Sequence, residues 1–137
     1  MTKASLLLAF SFLFFTAAHA DEGTATPFTD VAFDAAPSVK VTVDGDELYL
    51  LAVNGVARAN IMQACEAAYG AQCGCMFAER FSEMMAKIGQ PVGATADLRL
   101  YKFTTHEVVT KVGQSVSTAN FDEIKTNREL RNELCFP

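Results

Sequence analysis

The hydrophobic rhythm of the chain changes several times along its length. It opens with the short cationic start Met1-Thr2-Lys3. A nearly unbroken apolar stretch follows from Leu6 to Phe15, ending at the small-x-small sequence Ala18-His19-Ala20. That order of parts is a secretory leader, and its apolar run is too short to cross a bilayer. Residues 21–37 (DEGTATPFTDVAFDAAP) have no period, are acid-rich and carry Pro27 and Pro37. They are expected to form a flexible acidic arm. Phe28 and Phe33 stand in it as isolated aromatics and are candidate anchors for a partner. Packing on the protein's own surface is the plainer account of both.

From residue 38 onward the pattern predicts a single domain, 38–137. Val39, Val41 and Val43 alternate with Lys40 and Thr42, the period of a half-buried strand. Asp44-Gly45-Asp46 is turn chemistry, and Glu47–Leu51 can return as the second strand of a hairpin. Asn54 then reads as an N-cap, with Ile61, Cys65 and Ala68 on one helical face up to Gly70. A second helix is expected from about Cys73, with Phe77, Phe81, Met84, Met85 and Ile88 as its stripe and Gly89-Gln90-Pro91 as its stop.

Leu98, Leu100 and Tyr101 fit a short helix or a strand, and the helix is favoured. Thr104-Thr105-His106-Glu107 has the form of a capping box opening a helix through Val108, Val109, Val112 and Val116. Asn120 repeats the N-cap logic before a last helix through Ile124, Leu130 and Leu134 to Cys135. The fold expected from the pattern is therefore mostly α: a small disulfide-stapled domain of four or five helices preceded by a short β-hairpin.

Composition narrows the function classes. The 137 residues carry 16 acids and 11 bases. Removing the leader takes one lysine and no acid, leaving 16 against 10. Such an acidic domain does not attract nucleic acid or an anionic membrane. No later segment is long and apolar enough to span a bilayer. The residue following the expected cleavage site is Asp21, not Cys, so no lipid anchor is expected there. Cys65, Cys73, Cys75 and Cys135 all follow the leader. An even count in an exported chain reads as a disulfide framework, in a periplasmic or secreted protein. Cys73–Cys75 is the least favourable pairing, since a ring across one residue strains the bond. The other two pairings both tie Cys135 to the middle of the domain. An antiparallel helix pair favours Cys75 as the partner of Cys65, leaving Cys73 for Cys135.

Catalytic constellations are not evident. His106 is the single histidine after the leader, and no serine sits in a Gly-x-Ser-x-Gly elbow. Glu79 and Glu83, one turn apart with Arg80 and Lys87 nearby, read as a solvated charged face. Cys73-Gly74-Cys75 is the one chemically suggestive segment. Near a helix start it suits thiol redox exchange or Cu(I) binding, with Met76 as a third ligand. Structural disulfides are the better account, and no cofactor is expected. Lys125, Arg128 and Arg131 form a basic stripe, a candidate docking strip for an acidic partner.

The function these features imply is a non-catalytic exported interaction protein, such as an accessory subunit, inhibitor or immunity-type binder. Its partner is expected to be another exported protein. A thiol redox or Cu(I)-handling protein is the alternative. Mass spectrometry of the exported protein should find Asp21 as the first residue; a mass retaining Met1 would contradict the leader.

Overall fold

The computed structural model describes residues 22–34 and 38–136. The leader, Asp21 and residues 35–37 of the expected arm lie outside the described residues. A 3-10 turn at Glu22–Thr24 leads to β1 (Asp30–Ala32). Strands β2 (Lys40–Val43), β3 (Asp46–Val53) and the two-residue β4 (Val56–Ala57) follow. Three helices then come together: α1 (Arg58–Tyr69), α2 (Cys73–Glu79) and α3 (Phe81–Lys87). The chain returns through β5 (Thr95–Lys102) and β6 (Glu107–Ser115) and closes on α4 (Thr118–Leu130).

The strands form one six-stranded antiparallel sheet in the order β1-β2-β3-β5-β6, with β4 paired to β3. The fold is therefore mixed α/β, which corrects the mostly helical expectation. The expected hairpin is present as β2 and β3, turning at Asp44 and Gly45, both with positive φ. That backbone matches the strands' right-handed twist and favours Asp or Asn before Gly. Asn54-Gly55 repeats the device, with φ of 49° and 77°. Asn54 is thus a hairpin residue between β3 and β4, not the N-cap of α1.

The two helices expected between Ala94 and Val116 are β5 and β6. In β5, Ala96, Leu98 and Leu100 are buried while Thr95, Asp97 and Arg99 are exposed, a plain alternation. In β6, three valines and a threonine occupy nine positions, and β-branched side chains fit a pleated surface better than a helix. Thr104–His106 is the turn between them, with His106 at φ 57°, so the capping-box pattern opens a hairpin instead.

The helices cover one face of the sheet. Val41, Leu48, Leu50, Val53, Leu98 and Leu100 meet Ile61, Phe77, Phe81, Met84 and Met85, all buried. The Phe77 stripe survives, but as two helices, because the backbone leaves helical geometry at Arg80 (φ −139°, ψ 49°). Phe28 joins them, with ring centroids 6.0 Å from Phe77 and 5.2 Å from Phe81. So the described part of the arm is built into the fold, through this core contact and through the pairing of β1 with β2. Outside β1, Thr26 bridges Ser117 just past the end of β6. Asp44 accepts hydrogen bonds from Lys111 (3.1 Å) and Gln114 (3.3 Å) of β6. These links tie β6 to the β2–β3 turn, and the residue just past β6 to the segment before β1. The Lys111 bond chiefly, and then the Gln114 bond, hold the Asp44 carboxyl below the ordinary carboxylate range. The tie is present at neutral pH and is lost as acid protonates Asp44.

Two disulfides are formed, Cys65–Cys73 and Cys75–Cys135. The favoured pairing is corrected because a 3-10 turn at Gly70–Gln72 brings Cys73, first residue of α2, directly beneath α1. Cys75 lies further along α2 and faces the C-terminal tail. The chain-entropy model gives the 60-residue Cys75–Cys135 loop about 4 kcal/mol.

A buried ion pair backs that second disulfide. Glu79 is 1% exposed and Arg128 5%. The Glu79 carboxylate accepts from Arg128 Nε at 3.2 Å, from the Cys135 N–H at 2.9 and 3.0 Å, and from the Phe136 N–H at 3.0 Å. Arg128 also donates to the carbonyls of Val31 and Glu133. The solvated-face reading of Glu79 is thereby corrected. Phe81→Ala should cost roughly 3–5 kcal/mol in urea unfolding, since Phe81 lies in the core beside two other rings. Glu79→Gln should cost roughly 3–5 kcal/mol by leaving a buried guanidinium short of its counter-charge. In hydrogen exchange that variant should free the tail amides of Cys135 and Phe136 first; unchanged protection there would contradict the assignment.

Candidate functional site

The residues singled out in the sequence are not brought to one place. Phe28 is fully buried and offers nothing to a partner in this conformation. Phe33 is 40% exposed, edge-on to Phe77, and sits over Gly74, where an added Cβ would lie 3.6 Å from its ring. It borders a groove of about 650 Å³ together with Val39, Met62 and Cys73, with Asp34 and Glu66 among its polar lining. The basic stripe divides three ways. Lys125 is exposed, Arg128 is the buried partner of Glu79, and Arg131 grips Asp30 through two bonds of 2.7 and 2.9 Å. Those bonds to Asp30 raise the pKa of Arg131 above the ordinary guanidinium value. The stripe is thus mostly spent on holding α4 and the tail to β1.

In Cys73-Gly74-Cys75, each sulfur belongs to a different disulfide, and Met76 is buried. Among the described residues no group of three His, Cys, Asp or Glu side chains is arranged to hold a metal.

The surface that the sequence pattern missed is the outer face of the sheet, opposite the helices. Tyr49 and Tyr101 are direct cross-strand partners, and Val108 stands opposite Tyr101 on the next strand. Their neighbours Leu48, Leu50 and Leu100 are buried inward, so the pleat turns these three outward. Phe103 packs on Tyr49 with ring centroids 5.4 Å apart and remains 39% exposed. Further along β6, Val108 is 52% and Val112 77% exposed.

Polar ties fix these rings. The Tyr49 hydroxyl donates to Asp34 at 3.3 Å, and Lys40 pairs with the same carboxylate. The Tyr101 hydroxyl and His106 Nδ1 share a hydrogen bond of 2.8 Å. The result is a row of aromatic and aliphatic side chains across three adjacent strands, held in place by contacts within the fold. Singly exposed apolar residues need no explanation, whereas a contiguous and pre-ordered group is a candidate binding surface. Alternation in β5 was the signal that would have found it. Tyr101 follows Leu98 and Leu100 in register, so a strand sends it outward while a helix does not.

The chain has no match among protein-family models, curated proteins or solved structures.

Proposed function

We propose that the protein is a non-catalytic exported binding protein that docks another exported protein on the outer face of its sheet. The observation that carries this reading is the pre-ordered cluster of half-buried Tyr49 and Tyr101 with exposed Phe103 and Val108, which no described helix covers. Tyrosine and phenylalanine on a rigid support are the residue types that carry binding energy in protein interfaces. Two formed disulfides agree with an oxidising compartment, periplasmic or extracellular. No described helix is long and apolar enough to cross a membrane. The binding face and the stapled side lie on opposite sides of the sheet, so the disulfides and ion pair act as scaffold.

A photoreactive side chain placed at Phe103 should cross-link one discrete partner in the native compartment, without reductant. The same group at Lys125, on α4, should not. Phe103→Asp should lower the affinity for that partner by roughly 10- to 100-fold, as expected for an aromatic anchor, with an unchanged melting curve. Equal cross-linking from both positions, or none from Phe103, would contradict the reading.

A further inference from the structure

We propose that two copies of this chain associate by antiparallel pairing of their β6 strands, merging their sheets across a two-fold axis. This inference does not rest on the identity of the partner docked at the aromatic cluster. Strand β6 ends the sheet, and among the described residues no strand lies on its outer side. The bridge from Thr26 reaches Ser117, beyond its C-terminal end, so no described strand or bridge covers the edge along Glu107–Val112. Alternate backbone N–H and C=O groups of such a strand point outward and are a template for another strand.

The usual guards of an edge are a projecting lysine and a bulge, and both are compromised here. Lys111 turns to the inner side and is bonded to Asp44 at 3.1 Å. The irregularity lies where Asp97 accepts the Gly113 N–H, with Gly113 at φ 67°, so it protects only the last part of the strand.

Charge selects the second copy and its register. Centring the pair on Val109 places Glu107 of each copy opposite Lys111 of the other, twice by symmetry. Within one copy Lys102 already stands opposite Glu107, and Asp44 already holds Lys111. The inner side of the joined sheet then reads Lys102, Glu107, Lys111 of the second copy, Asp44 of the second copy, with signs alternating across the interface. On the outer side Val108 meets Thr110, and the exposed Val108 and Val112 of both copies gather into one strip. Centring on Lys111 would instead set two ammonium groups face to face.

The register makes a reciprocal charge test available. Wild-type protein should sediment as a dimer at about 100 µM and dissociate on dilution, as a short strand interface does. Glu107→Lys alone opposes lysine to lysine, and Lys111→Glu alone opposes glutamate to glutamate, each twice per dimer. Each should weaken the dimer by about 10-fold or more. An equimolar mixture of the two variants restores both attractions and should form a heterodimer near wild-type affinity. Loss of the Asp44 tie in Lys111→Glu cannot produce that rescue. A monomeric wild type, or single variants that dimerise like wild type, or a mixture that stays monomeric, would each overturn the proposal. Phe103→Asp should leave the dimer intact.

Discussion

The buried pair of Glu79 and Arg128 is the constraint on which the arrangement of the helices depends. Glu79 is the last residue of α2, where the helix dipole is unfavourable to an anion, and it is almost wholly removed from water. Such a carboxylate persists only if its charge and lone pairs are satisfied on the spot. Arg128 from α4 supplies the counter-charge, and the amides of Cys135 and Phe136 supply hydrogen bonds. The remaining guanidinium donors reach Val31 on β1 and Glu133 in the tail. One interaction thus fixes α2, α4, β1 and the C-terminal tail relative to each other. The Cys75–Cys135 bond is the covalent counterpart of the same junction, and the two reinforce each other because both join α2 to the tail.

Short-range spacing makes some parts of the fold legible in the sequence and hides others. The stripe of Phe77, Phe81, Met84 and Met85 faces the core as its spacing predicts, despite the break at Arg80. The β2–β3 hairpin follows from alternating valines and a turn dipeptide. The region from Ala94 to Val116 carries two conflicting signals: Val108, Val109, Val112 and Val116 fit a helical stripe by spacing, while their β-branching and the alternation in β5 point to strands. A Thr-x-x-Glu pattern is shared by helix starts and by turns before strands, so it could not decide the matter. Asn54-Gly55 is a clear local hairpin signal, and taking Asn54 as an N-cap from the helical period after it passes over that dipeptide.

The candidate site was less legible than the fold, for a physical reason. Arg128 and Arg131 are spaced as a solvent-facing stripe would be. Whether an arginine faces water or a buried carboxylate depends on where Glu79 and Asp30 fall in three dimensions, 49 and 101 residues away. Phe28 stands in an aperiodic acidic stretch, where nothing nearby in sequence shows what packs on it. It is held by rings contributed from α2 and α3. Exposure of Tyr101 and Phe103 is likewise a property of the pleat and of neighbouring strands.

The asymmetry of the sheet follows from these ties. α1, α2 and α3 arrive as one insertion between β4 and β5, and Cys65–Cys73 clamps the first two together. α4 would be the one element free to cross to the other side, since it follows the edge strand. Arg128 and Arg131 instead draw it to β1 and α2, and Asn127 adds a hydrogen bond to the Thr29 carbonyl. Every described helix is thereby accounted for elsewhere, and none remains to cover Tyr49, Tyr101 and Phe103. An aromatic group that the fold needed for its own stability would be expected under one of those helices. Here the tyrosines are ordered by Asp34 and His106, residues at the margins of the sheet. The inner face accordingly holds the fold together, and among the described residues no helix covers the ordered rings of the outer face.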